Sequence, residues 1–349
     1  MSNLQSASNL FESNYNNLIA LVLKRMEVEL QYHNRADLKK LEFDLLDQFR
    51  EFGELLRVVY RYNLINILPH EAAWYASSLS SRGSASDAFT LLIDSWIIAI
   101  QGVIKPPECN FLATPLKELK ININSVFSEG MQRRGFPPNA DITNLVNSLI
   151  AGDYIDAQKQ LTSHIDNGVK SYELITKFIL PAMVEIGRRW ENNEIQIFEE
   201  HLATETIIRL LAGLSGIFKS EKINNRNALI SCVPNDKHQL VPMALSIFLE
   251  LKGWRVSSLG SSLPEDQIVL AVKKIKPDTI FLSLNMLSRL TDALELISRL
   301  HQSNPDIKIF VGGNGAQAGK SLLANANAIV IQSFTEAHQL AIAEGFKDA

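Results

Sequence analysis

Cysteine is almost missing: Cys109 and Cys232 are the only two in 349 residues. Two thiols exclude a disulfide framework and a cysteine-rich zinc site. Positive charge is not in excess either. Thirty-four basic residues face 38 acidic ones, a formal net charge of -4, so the basic footprint of a phosphate-backbone binder is absent. Long apolar runs are lacking too: Leu91–Ile100 is interrupted by Asp94 and falls well short of the ~20 residues that span a bilayer. The segment from Met1 to Asn17 is polar and rich in Asn and Ser, without the basic start and apolar core of an export signal. There is no Walker loop, and no nucleophilic triad can be placed. The expectation is a cytoplasmic protein with no membrane contact, no direct nucleic-acid contact and no catalytic turnover of its own.

What is present is ordinary globular material, 46% hydrophobic and 21% charged, with length for two or three domains. Residues 1–12 read as disordered. Residues 13–132 read as an all-helical sensor or interaction domain. Apolar positions recur at helical spacing over Tyr15–Gln31 and Asp37–Tyr62, and further helices are expected from Pro69 to about Gly83, from Ser84 or Ser86 to Val103, and over Pro115–Glu129. Five helices with this aromatic content permit a globin-like bundle with an apolar pocket. Gly130–Asn139, with Gly135, Pro137 and Pro138, marks a boundary.

Residues 138–219 then give four helical segments with short breaks at Ala151-Gly152-Asp153 and Asn167-Gly168, the pattern of an antiparallel four-helix bundle. Pro181 inside the third segment predicts a kink. From 227 to 349 apolar strands alternate with amphipathic helices. Strands are expected at 228–233, 255–259, 279–284, 307–311 and 328–331, as a doubly wound, Rossmann-like parallel sheet. In such sheets ligands bind at the carboxyl edge of the strands.

That edge carries the chemistry. The first of these strands ends at Pro234, and Asp236-Lys237-His238 follows: a carboxylate two residues from an imidazole, which fixes the ring's tautomer and raises its basicity as a metal ligand. Beyond Val241 come the 41 residues 242–282, then Ser283-Leu284-Asn285, the 26 residues 286–311, and Gly312-Gly313. This resembles the cobalamin-binding domains of methionine synthase, corrinoid carriers and light-sensing cobalamin repressors, whose pattern is Asp-x-His-x-x-Gly, Ser-x-Leu and Gly-Gly at these intervals. Val241 departs from the pattern's glycine and Asn285 from its leucine. The resemblance implies that His238 ligates cobalt from below with Asp236 on its other nitrogen. Ser283 would meet the displaced base, and Gly312 and Gly313 would let the nucleotide tail pass.

In the bundle, Trp190, nine residues, then Glu200-His201 resembles the Trp-x9-Glu-His pattern of the light-sensing repressors and anti-repressors. It implies a cap for adenosylcobalamin, with Trp190 over the upper ligand and Glu200 and His201 lining its pocket. Glu191 stands where those repressors can place a cobalt-ligating histidine. A further resemblance, to the photocobilins, makes His70, Trp74 and Trp96 candidates for binding biliverdin in the helical region.

The reading that follows is a light sensor holding adenosylcobalamin. A cobalt-carbon bond broken by light would change conformation or oligomeric state and signal to a downstream protein partner from a homo-oligomer. The alternatives are a corrinoid methyl carrier of a methyltransferase system and a cobalamin-dependent anti-repressor that binds a transcription regulator.

Overall fold

Ala7, Phe11, Tyr15, Leu18, Val22 and Met26 recur every three or four residues and are all buried, a single apolar face along one helix. A computed structural model describes residues 3–32, 42–80, 85–132, 140–192, 194–217, 220–222 and 224–343. In it that face belongs to helix α1, Asn3–Tyr32. The expected disorder of residues 1–12 is therefore corrected from Asn3 onward. Polar Asn and Ser residues surround Ala7 and Phe11, but the apolar stripe continues through them and is buried.

Five more helices complete this unit: α2 Glu42–Arg61, α3 Leu68–Ser80, α4 Ala85–Val103, α5 Glu108–Ile121 and α6 Ile123–Gln132. The single helix expected over 115–129 is thus two, meeting at Asn122. Helix α1 packs on α2, α4 and α5. Their common core is aromatic, with Phe11 edge-on to Tyr60 and Tyr15 stacked with Trp96. Gly53 permits the close approach: a Cβ there would lie 2.7 Å from the Tyr15 hydroxyl and 2.8 Å from the Trp96 ring. The turn expected at Gly83, the Ser84 cap and the boundary loop around Gly135 lie outside the described residues.

The second unit begins with the bundle: α7 Ala140–Ile150, α8 Tyr154–Asp166, α9 Ser171–Leu174 leading through a π-helical turn Ile175–Ile179 into α10 Leu180–Glu191, and α11 Ile197–Ile217. Pro181, the site of the expected kink, is the second residue after that π turn. Pro181 has no N–H for the carbonyl of Lys177, which lies within the π turn. Asp153 caps α8 by accepting from the Asp156 N–H at 2.9 Å.

The sheet has five parallel strands, β1 Asn227–Cys232, β2 Arg255–Ser258, β3 Thr279–Ser283, β4 Lys308–Gly312 and β5 Ile329–Val330, in the order β2-β1-β3-β4-β5. Around them lie α12 Leu240–Leu251, α13 Glu265–Ile275, α14 Leu290–Ser303, α15 Asn314–Ala318, α16 Lys320–Asn325 and α17 Phe334–Ala343. The strand order reverses between β1 and β3, which opens a crevice at their carboxyl ends. Register lines up Cys232 with Ser283 and Ser283 with Gly312. Three strand ends therefore stand in one row. Among the described residues no helix is long and apolar enough to cross a membrane.

By their contacts, Arg189–Glu194 group with the helices α1–α6, and the rest of the bundle groups with the sheet. One bond accounts for part of this: the Trp74 indole N–H donates to Glu191 Oε1 at 3.1 Å.

Candidate functional site

The loop after β1 is built around one carboxylate. Asp236 is 1% exposed. Its Oδ1 accepts from the His238 backbone N–H at 3.0 Å and lies 2.7 Å from His238 Nδ1. Its Oδ2 accepts from the backbone N–H of Asn285 at 2.7 Å. Burial alone would raise the Asp236 carboxyl, but the hydrogen bond and charge of His238 and these two backbone donors outweigh it, and the group sits below its ordinary value. Asp236 thus joins the β1 and β3 loops and holds the His238 ring by one nitrogen. With Nδ1 engaged by Asp236, Nε2 is the ring nitrogen left to meet a ligand, on a half-exposed side chain. Burial, with Asp236 near, pushes the thiol of Cys232, at the end of β1, up to about 12.

His238 lines a cavity of about 1080 Å³. Its floor is the row of strand ends and the residues beside them, Ile230, Phe281, Ser283, Gly312 and Gly313. One wall is the start of α12, where Val241 and Leu245 face it. The opposite wall is the bundle, with Met183, Val184 and Gly187 from α10 and Glu200 and Thr204 from α11. All of these belong to the second unit. Val241, in place of the family glycine, is the second residue of α12 and adopts helical backbone without strain.

The two glycines act differently. Gly313 has φ +115°, and a Cβ there would collide with the Leu284 carbonyl oxygen and come within 2.7 Å of its carbon. Chain meets chain at this point, so the β3 and β4 loops need this glycine before any ligand enters. At Gly312 a Cβ would meet only the Ile331 side chain, at 3.2 Å.

Of the residues read from the sequence, the structure brings His238, Ser283, Gly312, Gly313 and Glu200 together around one cavity, with Asp236 buried behind His238. His201 lies elsewhere. Its side chain is 74% exposed, with Nδ1 3.0 Å from Glu200 Oε2 and 3.0 Å from the Ile197 carbonyl. Successive helical residues point about 100° apart, so Glu200 on the wall turns His201 outward, which corrects the expectation that both line it. Trp190 is half-buried in the last turn of α10, in the first unit. His70 is exposed, Trp74 holds Glu191, and Trp96 is wholly buried in the aromatic core.

Thr204, whose hydroxyl donates to Glu200 Oε1 at 2.8 Å, escaped the sequence reading. Its position one turn after Glu200 was the available signal. Ser333 and Thr335 at the start of α17 escaped as well. The same strand-end rule that found Ser283 points to them beyond β5.

Among the described residues no group of three or more His, Cys, Asp or Glu could hold a metal ion. One imidazole with an open nitrogen, beside a large cavity, fits instead a metal that brings its other ligands in a macrocycle. Cobalt in a corrinoid meets that description. His238 would hold the metal from below, and the bundle wall would face the upper side.

Replacing Asp236 with asparagine is expected to weaken corrinoid binding about 10- to 100-fold, the usual effect of removing a ligand's supporting carboxylate. Equilibrium titration followed by absorbance measures it. The folded carboxyl is lowered, so its contribution to stability is complete above the ordinary carboxylate range. It fades as pH falls from that range through the folded value. Acid unfolding of the wild type should show this loss, and the asparagine variant should not.

Comparison with known proteins agrees with this geometry. Residues 226–341 and 142–214 each match a family described as a B12 binding domain. The chain is 23% identical over 198 residues to the HTH-type transcriptional repressor CarH of Myxococcus xanthus, covering 56% of this chain and 66% of that one. It is 26% identical over 159 residues to the repressor CarA of the same organism, covering 46% and 53%. The trimethylamine corrinoid protein of Methanosarcina barkeri is 23% identical over 151 residues, covering 42% and 70%. The chain therefore spans less than two thirds of the length of the two repressors. In fold, it resembles the Methanosarcina barkeri monomethylamine corrinoid protein with a TM-score of 0.51 at 17% identity, over 58% of this chain and 97% of that one.

Proposed function

We propose, on the premise that this chain is a B12-binding protein through its bundle and its sheet domain, that it is a light-responsive signalling protein that takes adenosylcobalamin. The observation that carries the reading is the pairing, around one cavity, of His238 with the polar side chains of Glu200 and Thr204 on an otherwise mostly apolar bundle wall. Glu200, with one oxygen accepting from Thr204 and the residue half-buried, offers a carboxylate to a ribose or an adenine amino group. A methyl group needs no such partner. Trp190 stands in the last turn of α10, the position at which the resemblance to the light-sensing repressors puts an indole.

Bound adenosylcobalamin supplies a cobalt-carbon bond that visible light breaks, and the protein supplies orientation and readout. His238 would hold the cofactor's lower side while Glu200 loses its partner when the upper group departs. The bundle wall would then be free to repack, changing a surface that a second copy or a downstream protein reads. The similarity to repressors by name supports a regulatory output through such a partner, with no catalysis by the chain itself. Biliverdin is left out of the reading, because the residues named for it lie at the surface, in a bond to Glu191 and in the closed core.

The test is illumination of the protein loaded with adenosylcobalamin in the dark. An irreversible change in the visible spectrum, with altered elution on size exclusion, is expected. An unchanged spectrum sinks the proposal. A second reading, a methyl-carrying corrinoid protein, is favoured by the likeness to the trimethylamine corrinoid protein. Tighter binding of methylcobalamin than adenosylcobalamin would select it.

A further inference from the structure

With His238 in the lower position, a corrinoid's own nucleotide base is displaced and needs a place in the protein. The cavity that His238 lines also has apolar lining for it, with Ile230, Phe281, Ile331 and Phe334. Flat aromatic faces suit such a surface. Ser283, Asn285 and Asn314 are among the polar residues of the same lining, as are Gln317 and Ser333; the first three offer a hydroxyl and two side-chain amides. No hydrogen bond to these three groups is found among the described residues. Asn285 is held in place through its backbone. Its backbone N–H is held by Asp236 and its carbonyl accepts from the Gly315 N–H at 2.9 Å, so its amide is anchored two residues beyond Ser283.

We infer that Asn285 makes this chain select corrinoids by their lower base, favouring one with a hydrogen-bonding edge, such as a purine, over dimethylbenzimidazole. This rests on the corrinoid reading of the site and deepens it. A carboxamide has both a donor and an acceptor, which match the ring nitrogen and amino group of a purine edge. The corresponding edge of dimethylbenzimidazole carries two methyl groups. Enclosing the amide against methyls leaves it unpaired, which costs roughly tenfold in affinity. The family pattern's leucine at this position has no such demand.

The experiment titrates the full-length protein, followed by absorbance, with three corrinoids bearing the same upper ligand: cobalamin, its adenine-based counterpart, and cobinamide, which has no base. The wild type is expected to bind the adenine form about tenfold more tightly than cobalamin, and Asn285→Leu to reverse the order. A wild type that prefers cobalamin or binds both equally overturns the inference without recourse to a variant. So does an Asn285→Leu protein that keeps the wild-type ratio, or whose affinity for cobinamide changes as much as its affinity for the adenine form. Failure of all three corrinoids to bind would instead refute the underlying corrinoid site.

Discussion

His238→Ala is expected to lower corrinoid affinity by about 100-fold or more, about 3 kcal/mol, since losing the ligand exceeds the 10- to 100-fold effect of losing its supporting group. The spectrum of any cobalamin still bound should return to that of the free cofactor, with no protein nitrogen on cobalt. The variant isolates ligation from folding. Asp236 would retain the backbone N–H groups of residue 238 at 3.0 Å and Asn285 at 2.7 Å, so its buried carboxylate is not stranded. Thermal unfolding of the apoprotein should therefore move by only a few degrees. Unchanged affinity and spectrum would mean that the open Nε2 meets no metal, and the light-sensing proposal would fall with it.

Gly313→Ala is expected to destabilise the second unit by about 3 kcal/mol, whether or not ligand is present. Two costs add. Holding a non-glycine residue in the left-handed region takes about 1–3 kcal/mol, and the methyl group would be driven into the Leu284 carbonyl. Neither neighbour yields easily, because the Leu284 N–H donates to the Gly312 carbonyl at 2.8 Å and the Ala316 N–H donates to the Leu284 carbonyl at 3.1 Å. Gly312→Ala meets only the Ile331 side chain and should cost about 1 kcal/mol or less. Urea unfolding of the two variants measures the difference. Equal losses at 312 and 313 would show that the chain-to-chain approach is not what demands glycine.

The position of the site was legible because its chemistry is local. Asp236 and His238 lie two residues apart, so one loop sets their geometry, and the strand-end rule groups them with Ser283 and Gly312 without coordinates. His201 shows where such reading stops. Adjacent residues look equivalent in a pattern, but a helix turns them apart, and only Glu200 reaches the cavity. At the amino terminus, counting Asn and Ser misled. The apolar stripe through Ala7 and Phe11 was present but shorter than the polar residues around it, and burial against α2, α4 and α5 decided its state.

Periodicity and spacing alone determined that a helical region precedes a bundle and a parallel α/β domain, and that an aspartate and a histidine two residues apart follow the end of a strand. Both follow from contacts within a few residues or from repeats of the backbone itself. Tertiary structure alone decided the strand order that opens the crevice between β1 and β3. It also decided that the turn after Trp190 joins the first helical unit, that Gly313 meets a neighbouring carbonyl, and that Asn285 presents an unpaired amide to the cavity. These depend on which distant segments pack together, and packing is set by the summed burial of many side chains, none of which names its partner in the chain.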